Sequence, residues 1–322
     1  MRGRAIAFAS LVFVLIAGAA QAQTKFPDRP IRIIVPFAAG GGVDAFARLL
    51  AQKMQDKLGS PVVVENRAGA NATLGGSAVM QAAPDGHTLL FSASTHISAR
   101  LVMSKAPYDP ISDFTPIARV GAAPMLLVMS PKKTQNTAAE AAAAAKANPA
   151  DWNAATAALG SPGHLAMIAF GEAAGFKPQI VAYRGTAPAL NDVAGGHVQL
   201  YFDAMIALLP MVQSGGIKGL AITSPLRHKL APGIPTTAES GMPQVNIHSW
   251  YAFWGPKGMP ADLVKQIHDL ATEMTTQLAH ESKLEPLGID PVAESTEAFA
   301  RFQAQEVERN AALLKSVDFQ PN

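Results

Sequence analysis

Five short stretches hold the residues whose types and spacing could do chemistry. They are Phe37, Ala39, Gly40, Gly41 and Asp44; Ser92, Ala93, Ser94 and Thr95; Gly160, Ser161 and His164; Arg184, Gly185 and Thr186; and Asp203. Each stretch reads as a turn from a strand into a helix. The first amides of a helix have no partner within it and carry part of the positive end of its dipole. Several such turns facing one cleft would hold an anion, most simply a carboxylate.

The side chains refine this reading. Phe37, alone among small residues, reads as a cleft wall. Asp44 either caps its own helix or faces the ligand through a bridging water, amine or hydroxyl. Arg184 either pairs bidentately with a carboxylate or is a surface charge. His164 touches a ligand oxygen or is a hydrogen-bonded structural histidine. Ser161, with Pro162 behind it, is a helix cap, as are Thr186 and one of Ser94 and Thr95. Asn66 and Arg67 end the second strand and fix backbone or contact ligand.

Two enzyme-like patterns compete. Gly40-Gly-Gly42-Val-Asp-Ala45, with Glu65 at the end of the next strand, fits the dinucleotide fingerprint. The interposed Pro36-Phe-Ala-Ala39 opposes it, because the first glycine of that fingerprint directly follows its strand. Ser161, His164 and Asp203 contain the residue types of a hydrolytic triad, but no G-x-S-x-G elbow surrounds the serine. No H-E-x-x-H, P-loop or EF-hand pattern occurs, so neither metal nor cofactor is expected and catalysis has no positive support.

The elements that must position these turns follow from periodicity. Ile31–Val35, residues 61–65 and residues 88–92 read as strands, and Val43, Phe46, Ala47, Leu50, Met54 and Leu58 recur at helical spacing. Ala118–Val120 and Met125–Met129 read as one strand interrupted by Gly121-Ala-Ala-Pro124. Helices are expected at 137–147, 162–174, 187–194 and 204–213, with glycine stops after the last three. Strands are expected at 179–183, 199–202 and 219–223. Trp250-Tyr-Ala-Phe-Trp254 reads as a return strand whose tryptophans pack, before long helices at 261–279 and 296–316. The alternation is that of an α/β protein with parallel sheets.

Composition narrows the class further. Met1-Arg-Gly-Arg4, the apolar Ala5 to Ala17 and Ala20-Gln21-Ala22 form an export signal with cleavage expected after Ala22. Lys and Arg number 26 against 24 for Asp and Glu; without Arg2 and Arg4 the exported chain has 24 of each. No basic patch with interleaved aromatics occurs, so nucleic acid is not an expected partner. The chain has no cysteine, which excludes disulfides and a thiolate nucleophile.

Several motifs occur in order: Pro36-Phe-Ala-Ala-Gly-Gly-Gly-Val-Asp44 with Ala47-Arg48, Val64-Glu-Asn-Arg67, Pro84-Asp-Gly-His-Thr-Leu89 and Tyr108-Asp-Pro with Asp113-Phe114. They continue with Gly160-Ser-Pro-Gly-His-Leu165, Tyr183-Arg-Gly-Thr-Ala-Pro188 and Pro235-Thr-Thr-Ala-Glu239. As a set they resemble the Bug-type periplasmic receptors of tripartite tricarboxylate transporters. That resemblance implies an α/β, two-domain, type II-like periplasmic binding protein with a cleft between the domains. It implies a monomeric receptor for a small organic carboxylate, not an enzyme, served by a tripartite tricarboxylate-type membrane permease or acting without one as a sensor or scavenger. Its ligand would be held by Phe37 to Asp44, the turn of residues 92–95, Gly160 to His164, Arg184 to Thr186, and Asp203. The expected division is a signal at 1–22, domain I at 23–123 and 249–322, and domain II at 124–248. The chain departs from the family at Arg67-Ala-Gly-Ala-Asn-Ala72, where proline and glycines are usual, at Ile168 for a glutamate and at Arg184 for a lysine.

Overall fold

Ile31, Ile33, Ile34 and Val35 have no exposed surface, so the first strand is covered on both faces, as strands inside a parallel sheet are. The structure, a computed structural model, describes residues 26–321; the expected export signal lies outside them. Strand β1 (Ile31–Val35) leads into helix α1 (Gly42–Leu58), then β2 (Val62–Asn66), α2 (Thr73–Met80) and β3 (Thr88–Ala93). A 3-10 turn at Ser94–Ser98 and the short α3 (Ala99–Val102) precede β4 (Phe114–Met129). The chain continues through α4 (Ala138–Ala147), β5 (Asn153–Thr156), α5 (Pro162–Ala174), β6 (Gln179–Ala182), α6 (Thr186–Gly195), β7 (Leu200–Ala204), α7 (Met205–Gln213) and β8 (Lys218–Ile222). It ends with β9 (His248–Pro256), α8 (Ala261–His280), β10 (Asp290–Pro291) and α9 (Thr296–Ser316).

The strand order β2-β1-β3-β9-β4-β7-β5-β6 runs from one half of the molecule to the other, with β8 and β10 also pairing with β4. Strand β4 joins the halves. Its first part, from Phe114 to Pro124, pairs antiparallel with β9; from Met125 onward it pairs with β7 and β8. The expected interruption at Gly121-Ala-Ala-Pro124 does not occur. Pro124 stands where the strand exchanges partners, and the next amide, on Met125, donates to Thr223 Oγ1 at 2.9 Å. A proline there removes a ladder donor at little cost.

Helix α1 packs on the first half through Phe46, whose ring meets Phe91 at 5.6 Å and Tyr251 at 5.5 Å, both edge-on. Trp250 and Trp254 sit on the opposite face of β9, donating to Glu306 Oε2 and Gln303 Oε1 of α9 at 3.2 and 3.1 Å. Those tryptophans therefore pack, as the sequence reading expects. Helix α9 thereby caps the first half and also touches α5 of the second.

Two elements near the cleft escape the sequence reading. One is β5. The other is α2, which follows Gly69, Ala70, Asn71 and Ala72, all with positive φ (131°, 44°, 55° and 69°). Left-handed backbone costs roughly 1–2 kcal/mol per residue with a Cβ. Asn71 offsets part of this by bridging to the other half: its side chain accepts from Leu159 N at 2.7 Å and donates to Leu159 O at 3.0 Å. Among the described residues no helix is long and apolar enough to cross a membrane.

Candidate functional site

The starts of α1, α6 and α7 carry no side-chain cap, and all three border one cavity between the halves. Helix α5, which also borders it, is capped by Ser161; away from it α4 and α9 are capped by Thr137 and Ser295, and α2 and α8 are not capped. Relative to a Ser or Thr cap, an uncapped start costs about 1 kcal/mol at Ala204 and only a few tenths at Gly41 and Gly185, and amides left open toward a cavity are available to a ligand. The cavity is lined by Phe37, Gly41, Gly42 and Val43 from the first turn, Ala93 and Thr95 from the second, and Ala157, Ser161 and Pro162 from the third. Thr186, Asp203 and Ala204 complete the second-half wall, and Ser249 and Tyr251 of β9 the first-half wall. The enclosed space is only about 30 Å3, far below the ~300–1,000 Å3 of small-molecule clefts, so the halves must part to admit an organic acid. The lips nearly touch: a Cβ on Gly185, whose φ is +127°, would lie 3.3 Å from the Ala38 nitrogen.

The glycine-rich turn is held from behind. Asp44 accepts from Gly40 N at 2.9 Å, from Arg48 Nε at 3.0 Å and from Asn66 Nδ2 at 2.9 Å. Asn66 Nδ2 also reaches Phe37 O at 3.1 Å, and Arg48 Nη2 reaches Asn66 Oδ1 at 2.9 Å. Burial opposes the charge on Asp44, but the hydrogen bonds from Arg48, Gly40 and Asn66 and the Arg48 charge leave its pKa below the ordinary value. Both oxygens are thus occupied, and Asp44 does not line the cavity. Asn66 fixes backbone.

The opposite wall has a different acid. Asp203 accepts from Thr186 Oγ1 at 2.6 Å, from Ala204 N at 2.7 Å and from the Tyr201 hydroxyl. Burial pushes its pKa up; the hydrogen bonds from Thr186, Tyr201 and Ala204 only partly oppose this. Among the described residues no cation bonds to it. Thr186 is therefore not the cap of α6 that the sequence suggests: Gly185 occupies that position, and the threonine hydroxyl serves Asp203. Likewise neither Ser94 nor Thr95 caps a helix, since the segment after β3 is the 3-10 turn Ser94–Ser98, whose capping position is Ala93.

Ser161 does cap α5, accepting from His164 N at 3.2 Å. Its hydroxyl also shares a 2.9 Å bond with Thr156 Oγ1, whose own proton goes to Ala158 O at 2.8 Å, so the Ser161 proton points to Thr156. His164 Nδ1 accepts from Gly160 N at 3.0 Å, and its ring lies 5.4 Å from Phe319, facing a different groove. Burial pushes its pKa down to about 4, so the ring is neutral. Ser161, His164 and Asp203 therefore form no triad. Glu65 is engaged by Arg32 and Arg67 at 2.6 and 2.5 Å on the surface, away from the glycine turn, so the dinucleotide arrangement is not formed either.

Of the expected residues, the structure gathers Phe37, Gly41, Ala93, Thr95, Ser161, Thr186 and Asp203 around the cavity. Ala39, Gly40, Ser92, Ser94, Gly160 and Gly185 lie in the same turns without lining it, and Asp44 and His164 face elsewhere. Arg184 is exposed on the rim and makes no hydrogen bond or ion pair with another described residue. Ala157, Ala204, Ser249 and Tyr251 are the lining residues that the sequence reading missed. Period-two alternation along β9 sets Ser249 and Tyr251 on the face opposite Trp250, a signal that was available. Ala157 follows β5, so missing that strand hid the turn. Among the described residues no cluster of His, Asp and Glu is placed to hold a metal ion.

Residues 46–319 match the family described as "Tripartite tricarboxylate transporter family receptor". The protein BugT of Bordetella pertussis is 35% identical over 308 residues, covering 94% of this chain and 94% of its own. The solved structure of the periplasmic binding protein BugD is similar with a TM-score of 0.87 at 32% identity, covering 92% of this chain and all (100%) of that one. The structure of MatC from Rhodopseudomonas palustris with bound malate is similar with a TM-score of 0.85 at 29% identity, over 90% of this chain and 100% of that one.

Proposed function

The chain belongs to the tripartite tricarboxylate transporter receptor family, and on that premise we propose that it captures a small mono- or dicarboxylate in the cavity between its halves and releases it unaltered. The observation that carries this reading is the convergence of three uncapped helix starts on one enclosed space. The amides of Gly42 and Val43 receive one carboxylate, Phe37 covers the apolar part of the ligand, and the half-molecules close over it. Closure removes competing water and strengthens each charge-assisted bond. Malate in the MatC structure supports a carboxylate as the ligand class.

The same reading assigns residues 23–123 and 249–322 to one domain and 124–248 to the other, with export to the periplasm after cleavage behind Ala22. Ligand then passes from a monomeric receptor to a membrane permease of the tripartite tricarboxylate type. Thermal denaturation against aliphatic, aromatic and amino-acid carboxylates tests the core of this. A cognate acid at a hundred times its Kd stabilises by about 2.7 kcal/mol, a shift of several degrees. No shift with any carboxylate contradicts the reading, and turnover of an ester or amide lost in Ser161→Ala replaces it with hydrolysis.

A further inference from the structure

We propose that Tyr251 and Asp203 together read a hydroxyl group on the ligand, so that the preferred ligand is a short hydroxy acid; this rests on the receptor reading above. The Tyr251 hydroxyl is buried, on a residue only 1% exposed that lines the cavity, and has no hydrogen-bond partner among the described residues. Ser249, two residues along the same face of β9, is close enough to act on the phenol, but no hydrogen bond of normal geometry joins the two. A buried O–H without a partner is costly, and a ligand that supplies the acceptor recovers that cost.

Asp203 is the complementary half. Its carboxylate offers about four acceptor positions, and Thr186, Tyr201 and Ala204 occupy three. Asp203 and Tyr251 line the same small cavity from its two sides, and the carboxylate is near enough for its charge to oppose ionisation of the phenol. One unused donor therefore remains on the first-half wall and one unused acceptor on the second-half wall, across the same small cavity.

Only some ligand groups complete both. A carboxylate would accept from Tyr251 but meet the Asp203 charge with no cation to offset it. An ammonium would satisfy Asp203 and leave the phenol proton unpaired. A hydrogen atom leaves both unpaired. A hydroxyl accepts from Tyr251 and donates to Asp203, while the acid's own carboxylate stays at the start of α1.

Calorimetric titration of three matched series tests this: succinate, malate and aspartate; propionate, lactate and alanine; phenylacetate, mandelate and phenylglycine. In at least one series the wild-type protein should bind the hydroxy acid about 10–100-fold more tightly than the parent and amino acids, the worth of a hydrogen bond to a charged group. In Tyr251→Phe the preference of hydroxy over parent acid should fall below about threefold. That variant removes an O–H with no partner, and a melt of the unliganded protein verifies its fold. Equal binding of hydroxy and parent acids, tighter binding of the amino acids, or a preference that survives Tyr251→Phe overturns the inference and leaves the receptor reading intact. No binding of any of the nine acids to the wild type overturns both.

Discussion

Two aspartates stand on opposite sides of the same cleft and have opposite electrostatics. Asp44 is surrounded by a guanidinium, an amide side chain and a backbone N–H, and its pKa is held down. Asp203 is surrounded by two hydroxyls and one backbone N–H, with no cation, and burial raises its pKa. The first has both oxygens occupied and holds a turn. The second keeps an acceptor position and faces the cavity. A carboxylate near a binding site is thus scaffold or reader according to whether its own protein already satisfies it.

The largest test of that contrast is stability. Asp44→Ala leaves Gly40 N and one N–H of the Asn66 amide without their acceptor in a part-buried turn and should cost about 2 kcal/mol, several degrees in a thermal melt of unliganded protein. Asp203→Asn should cost under about 1 kcal/mol, because relief of a buried charge offsets the one N–H left facing an amide. Equal losses would erase the distinction.

Ligand affinity should rank the two the other way. Asp203→Asn, folded and melting near the wild type, should weaken binding of the cognate acid about tenfold or more in calorimetry. Unchanged affinity would show that Asp203 is scaffold as well.

Acid titration sharpens the comparison through its sign. The folded pKa of Asp44 lies below the ordinary 3.8, so its stabilising contribution is present above that pH and is lost as pH falls through the folded value. The stability gap between wild type and Asp44→Asn should therefore close below about pH 4. The folded pKa of Asp203 lies above 3.8, so protonation favours the fold, and that advantage is lost as pH rises through the raised value. Denaturant titrations should accordingly show wild type gaining on Asp203→Asn as the pH is lowered. Parallel trends for both variants would contradict the assignment.

The smallest expected effect is at the rim. Arg184 is exposed and outside the lining, so Arg184→Ala should weaken binding less than about threefold, with the difference vanishing at high salt. A tenfold, salt-independent loss in calorimetry would bring Arg184 into the cavity wall.

Much of this arrangement was legible in sequence. Helix α5 runs from Pro162 to Ala174 as expected because Ser161 caps it, Pro162 suits its first turn and Gly175 ends it in the left-handed conformation. The glycine turn before α1 and the α/β alternation were equally clear. Helix α2 was not, since alanine and asparagine gave no sign that residues 70–72 would adopt positive φ; the compensating Asn71–Leu159 bonds span 88 positions. Strand β5, Asn-Ala-Ala-Thr, has only one β-branched residue. The role of Asp44 depended on whether Asn66 and Arg48 reached it, which spacing alone leaves open. Tyr251 was hidden within an aromatic strand whose packing reading was sound for its other face.

The cavity proposed to take a carboxylate can be filled from Gly41. Its φ of −83° is open to any residue, and a Cβ there would meet Thr186 at an ordinary 3.7 Å, so a larger side chain must extend into the space. Calorimetric titration of the wild-type protein and Gly41→Leu with the same carboxylates is the most direct measurement. One-to-one binding to the wild type, abolished in a folded Gly41→Leu, is the predicted result. Equal binding to both proteins, or none to the wild type, would contradict it.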